Sequence, residues 1–161
     1  MLKVGKNMVK KASDKVCLEN IEKINELFSK GIDDASRFHV VYGCGIDVGM
    51  MDFIATKEKN CAYTSYAIGF DEIANEIVVL LINRDLSSYD NPIYVQKNEV
   101  KKTKISMLSK EVLIYADKFP EKYITFTVPE ELNEDVEENF ICVKQEEEAK
   151  RFLAFFKDYF S

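Results

Sequence analysis

The chain has 161 residues, 47% of them hydrophobic and 31% charged, with a formal net charge of −6 and one histidine. A chain of that size buries roughly two-thirds of its unfolded surface, so the composition describes a single soluble globular domain and excludes a wholly disordered chain. The acidic balance argues against a nucleic-acid binder, which needs a dominant basic field, and the longest apolar run, Ile77 to Ile82, falls far short of the ~20 residues that cross a bilayer.

Residues 1–12 are lysine-rich without an uninterrupted apolar run, and read as a flexible basic tail and not as a secretion signal. Residues 13–161 then form one domain. Ser13 or Asp14 is placed to cap a helix over 14–30, in which Cys17, Ile21, Ile24 and Phe28 recur at helical spacing with Leu27 beside them. Gly31 follows, where a left-handed helix stop is expected.

From Phe38 the period changes to two. FHVVYGC puts Phe38, Val40, Tyr42 and Cys44 on one face of a half-buried strand. The following GCGIDVG reads as a flexible turn, MDFIAT and CAYTSYAI as two strands joined at Lys57 to Asn60, and IVVLLIN as a central strand. After the loop Ser87 to Pro92 come IYVQK, EVKKTKISM, EVLIYA and KYITFTV, the last two joined by a turn at Pro120. Glu130 to Glu138 is an acidic loop and FICV a short last strand. Residues 145–160 form an amphipathic helix with Ala149, Phe152, Leu153, Phe156 and Phe160 on one stripe, and with Glu146 to Glu148 in the first turn, where the helix dipole favours negative charge. The prediction is an α+β fold that is mainly β. One helix precedes about six to eight short strands over 37–143, which form an antiparallel barrel or strongly bent sheet, and one helix follows them.

The second half, IYVQKNEVKKTKIS through VLIYA and KYITFTV to EEEAKRFLAFFKDYF, resembles the bacterial pleckstrin-homology-like (PH-like) domains over residues 90–160. Ile93, Glu99, Val100 and Ile105 match that family's strand pattern, and Phe152, Leu153 and Phe156 match the helix that plugs one end of its barrel. The resemblance implies a cytoplasmic, non-catalytic module that binds proteins, peptides or lipid headgroups, with a protein segment as the expected partner, met at a sheet edge or an apolar groove.

Four cysteines, at 17, 44, 61 and 142, have no Cys-x-x-Cys spacing and read as reduced thiols filling small apolar positions. With a single histidine and no close thiol pair, neither a metal nor a cofactor is expected. His39 is the one candidate catalytic histidine. Cys44 lies five residues on, which in a regular strand is the opposite face. Gly43, Gly45 and Gly49 miss the dinucleotide fingerprint by one residue.

The candidates for ligand binding are Lys101, Lys102 and Lys104. Strict alternation puts Val100, Lys102 and Lys104 on one face and Lys101, Thr103 and Ile105 on the other, so neither face is cleanly apolar. A bulge or an edge position resolves that, and lysine on an edge strand blocks unwanted pairing. The same lysines could instead meet an anionic lipid surface. A further alternative comes from FIATKEKNCAYTSYAIGF, which resembles the opening hairpin of flavin-binding split-barrel oxidoreductases but lacks that family's turn glycine and proline.

Overall fold

A computed structural model describes residues 2–48, 61–132 and 140–160 of the chain. Helix α1 spans Leu2–Gly31 and leads through a 3-10 turn, Ala35–Arg37, into four strands: β1 His39–Val48, β2 Cys61–Asp71, β3 Glu76–Ile82 and β4 Ile93–Gln96. Strands β5 Lys102–Ile105, β6 Val112–Tyr115 and β7 Tyr123–Phe126 follow, then the two short strands β8 Glu131–Leu132 and β9 Val143–Lys144. Helix α2, Glu146–Phe155, ends in a π-turn, Phe156–Phe160. Among the described residues the fold is therefore α+β, with two α-helices and antiparallel pairing in each sheet.

The sheets are β1-β2-β3-β4, β5-β6-β7 and β8-β9. No closed barrel is found among the described residues. The first two sheets touch through one isolated pair, Cys44 with Thr127, whose N–H groups donate to each other's carbonyls at 2.9 and 2.8 Å. Two residues earlier on the same edge of β1, a side chain takes over. Gln145, only 5% exposed, accepts the Tyr42 N–H on Oε1 at 2.8 Å and donates from Nε2 to Tyr42 O at 3.0 Å and Pro129 O at 2.8 Å. Its amide stands in for the peptide group of a missing strand, leaving no buried backbone group of Tyr42 unpaired.

The four-stranded sheet is covered on both sides. One face packs Ile68, Phe70, Ile77 and Val79 against Val112, Ile114 and Phe126 of the three-stranded sheet and Phe152, Phe155 and Phe156 of the C-terminal helix. The opposite face packs Tyr42, Val78 and Leu80 against Ile24, Leu27 and Phe28 of α1. Burial on both faces explains why β3 is continuously apolar. As expected, Phe38, Val40, Tyr42 and Cys44 share a face, the one under α1.

Four expectations are revised. Helix α1 begins at Leu2, so Ser13 and Asp14 lie inside it and the stretch read as a basic tail belongs to the helix. Among the described residues no glycine has a positive φ; Gly31 serves close approach instead, since a Cβ there would meet the Tyr89 ring at 3.1 Å. GCGIDV is not a turn but the second half of β1, paired residue for residue with β2 from Gly43–Tyr66 to Val48–Cys61. Gly45 leaves room there for the Thr125 carbonyl, 3.2 Å from where its Cβ would sit. Phe155 is buried on α2 while Leu153 is only half-buried, so the stripe is rotated from the expected one. MDFIAT lies outside the described residues.

Candidate binding groove

The inner face of the four-stranded sheet is not wholly covered. Tyr66 and Leu81 are cross-strand partners, as are Val79 and Ile93, and alternation turns all four toward the same side. Opposite them stand the β6–β7 turn, with Phe119 and Pro120, and the start of β7. Between the two lies an apolar groove of about 300 Å³. Leu81 and Tyr123 at its mouth are 39% and 43% exposed, whereas Phe119 beneath is 2% exposed.

Two turns shape the rim. In the loop after β3, the Asn83 side chain accepts the N–H groups of Ser87 and Ser88 at 2.9 and 3.0 Å, and Asp90 N–H donates to Leu81 O at 3.0 Å. This holds Asp90 and Asn91 at one lip. On the other lip, Ala116 N–H donates to Lys122 O and Lys122 N–H to Phe119 O, with Lys122 at φ 71°, and this presents Glu121. The groove thus has an apolar floor and two carboxylates, Asp90 and Glu121, on its rim. A larger cleft of about 530 Å³ near α2 is lined by Glu130, Glu131, Glu146, Lys110 and Lys144. One of its two lysines is already matched, because Lys144 pairs with Asp14 and lies 3.9 Å from Glu131.

The sequence-predicted lysines lie elsewhere. Strand β5 is outermost in its sheet, and Lys101 N–H donates to Tyr115 O at 2.8 Å although Lys102 is the register partner of Tyr115. That is a bulge. It lets Val100, Thr103 and Ile105 be half-buried while Lys101, Lys102 and Lys104 are all exposed. Lys101 pairs with Asp117 at 3.0 Å. Lys102 faces Tyr115, whose ring lies 5.9 Å from that of Tyr123.

His39 packs on Phe70 at 5.3 Å and approaches Glu72 at 3.4 Å. Cys44 is on the opposite face and buried. Burial pushes its thiol up to about 11, so it is no thiolate nucleophile at neutral pH. Cys17, Cys44 and Cys142 are all buried. Of the flavin-like hairpin, residues 53–60 lie outside the described residues.

Among the described residues no cluster of three or more metal-ligating side chains occurs, and no helix is long and apolar enough to cross a membrane. No family model, no curated protein and no solved structure matches the chain significantly.

Proposed function

We propose that the protein is a cytoplasmic, non-catalytic binding module of PH-like architecture that recognises a protein segment in the groove between β3–β4 and the β6–β7 turn. The observation that carries this is the groove itself: apolar side chains left open to solvent in a cleft large enough to hold a side chain, rimmed by acids. A cavity of about 150 Å³ already admits a benzene ring, and the groove has about twice that volume. Concave apolar surface with a few convergent polar groups is the usual form of a binding site. The acids Asp90 and Glu121 select a segment whose apolar side chain is flanked by lysine or arginine. The architecture is supported by the succession of four and three antiparallel strands and by a C-terminal helix whose phenylalanines enter the core between the two sheets.

The test uses two short peptides, Lys-Leu-Lys-Leu-Lys and Glu-Leu-Glu-Leu-Glu, titrated into isotope-labelled protein. The lysine peptide should give saturable NMR shifts at Tyr66, Val79, Leu81, Ile93 and Tyr123, and the glutamate peptide none. Shifts from neither peptide, or equal shifts from both, would remove the groove as a recognition site.

A further inference from the structure

The β5–β6 hairpin ends in a turn that is unusual in its residues. Turns are ordinarily built from small and polar side chains, yet this one carries Met107 and Leu108 at its apex, 82% and 97% exposed. The turn is not loose. Ser106 N–H donates to Glu111 O at 2.9 Å and Lys110 N–H to Ser106 O at 2.8 Å, with Lys110 at φ 60°. The Ser106 hydroxyl also accepts the Ser109 N–H at 3.3 Å. The hairpin therefore holds two apolar side chains out in water on a hydrogen-bonded frame, with exposed Lys104 and Lys110 on either side of them. Its one acid is Glu111, and Glu130, Glu131 and Glu146 stand across the cleft from Ser109 and Lys110.

We propose that Met107 and Leu108 of one molecule insert into the groove of a second copy of this chain, so that the protein self-assembles head to tail. The inference rests on the groove reading above and names its occupant. The two surfaces are complementary: an apolar tip with a basic flank meets an apolar cleft with an acidic rim. The tip cannot serve its own groove, because the β5–β6 turn and the β6–β7 turn that walls the groove lie at opposite ends of β6. Tip and groove are different surfaces, so the contact is heterologous and propagates as an open chain or closes as a ring. A hairpin tip buries far less than the roughly 1,200 Å² of a stable interface, so association is weak and visible only at high concentration.

Sedimentation velocity over the micromolar to millimolar range tests this with two variants altered only at exposed residues, Leu108→Asp at the tip and Asp90→Lys with Glu121→Lys at the rim. Circular dichroism of each serves as the folding control. Wild type should gain mass with concentration, and each variant alone should stay monomeric. An equimolar mixture should stop at dimers, since one intact tip then meets one intact groove. Monomeric wild type throughout, or association that either variant leaves intact, overturns the proposal. Wild type that stays monomeric but binds the lysine peptide overturns assembly while leaving the groove reading standing. Wild type that stays monomeric and sediments with anionic vesicles through Leu108 would assign the tip to a membrane.

Discussion

Arg37 spans Asp71 and Glu76, register partners at the mouth of the β2–β3 hairpin, donating to them at 2.8 and 2.7 Å while its guanidinium lies 4.2 Å from the Phe38 ring centre. Both carboxylates are buried, at 6% and 7% exposure. Burial alone would raise the pKa of Asp71, but the hydrogen bonds from Arg37 and from the N–H groups of Ala74 and Ile73 outweigh it and hold the carboxyl below its usual range. A carboxyl whose pKa is depressed on folding stabilises the native state above its unfolded value, about 3.9, and the contribution disappears as pH falls through the folded value. Arg37→Ala leaves two adjacent carboxylates without their shared donor. Because the arginine side chain is itself 35% exposed, the expected loss is discounted to about 1–3 kcal/mol at pH 7. In urea denaturation the gap between variant and wild type should shrink below about pH 4 as the Asp71 carboxyl protonates. A gap independent of pH would mean that the arginine acts through its packing on Phe38 alone.

At the scale of the element, α2 is held by its rings. Phe70 of β2 meets Phe152 at 5.5 Å and Phe155 at 5.3 Å, and Phe126 of β7 meets Phe152 at 6.0 Å. Arg151 also ties the helix to the β2–β3 turn through Glu72 at 2.6 Å. Phe152→Ala, Phe155→Ala and Phe156→Ala should each cost about 3–5 kcal/mol. Leu153→Ala should cost only about 1 kcal/mol, half the transfer value of a fully buried leucine. Thermal melts of the four variants check this, and an equal loss at Leu153 would return the stripe to its expected position. The stripe of α1 was legible in the sequence because spacing alone encodes it, and Cys17, Ile24, Leu27 and Phe28 are buried as read, whereas in α2 Phe155 takes the buried place expected of Leu153. The strand faces were legible only where alternation is unbroken. In β1 it put Phe38, Val40, Tyr42 and Cys44 correctly on one face, whereas in β5 the bulge at Lys101 displaces the phase and only the backbone reveals by how much. The glycines of β1 read as a turn because their neighbours are distant in the chain: Gly43 makes room for the Ile68 side chain, and Gly45 for the Thr125 carbonyl, 80 residues downstream. The groove was illegible for the same reason: it is assembled from β2, β3, β4 and the β6–β7 turn, and no one segment carries its pattern.

Across the whole molecule, the four-stranded sheet belongs to two cores at once. Removing α1 would expose Val78 and Leu80, and removing the three-stranded sheet would expose Ile77 and Val79 of the same strand. Neither layer can leave without stripping the sheet of one covered face, so unfolding should be one cooperative event. The cysteines report on this from different layers. Cys17 of α1 donates its thiol to Leu132 O at 3.8 Å, Cys44 lies in β1, and the carbonyl of Cys142, just before β9, accepts the Asn20 amide of α1 at 2.9 Å. The thiolate is the reactive form, and Cys44, with its pKa pushed up to about 11, is protonated as well as buried under native conditions. In a Cys61→Ser background, an aromatic disulfide reagent should label none of the three remaining thiols in native buffer. Along a urea gradient all three should become reactive at the midpoint seen by circular dichroism and by tyrosine emission, which no tryptophan obscures in this chain. Labelling of Cys17 at lower urea than Cys44 would show that α1 undocks as a unit of its own. The face of β3 beneath it would then be held by the other strands of the sheet and not by the helix.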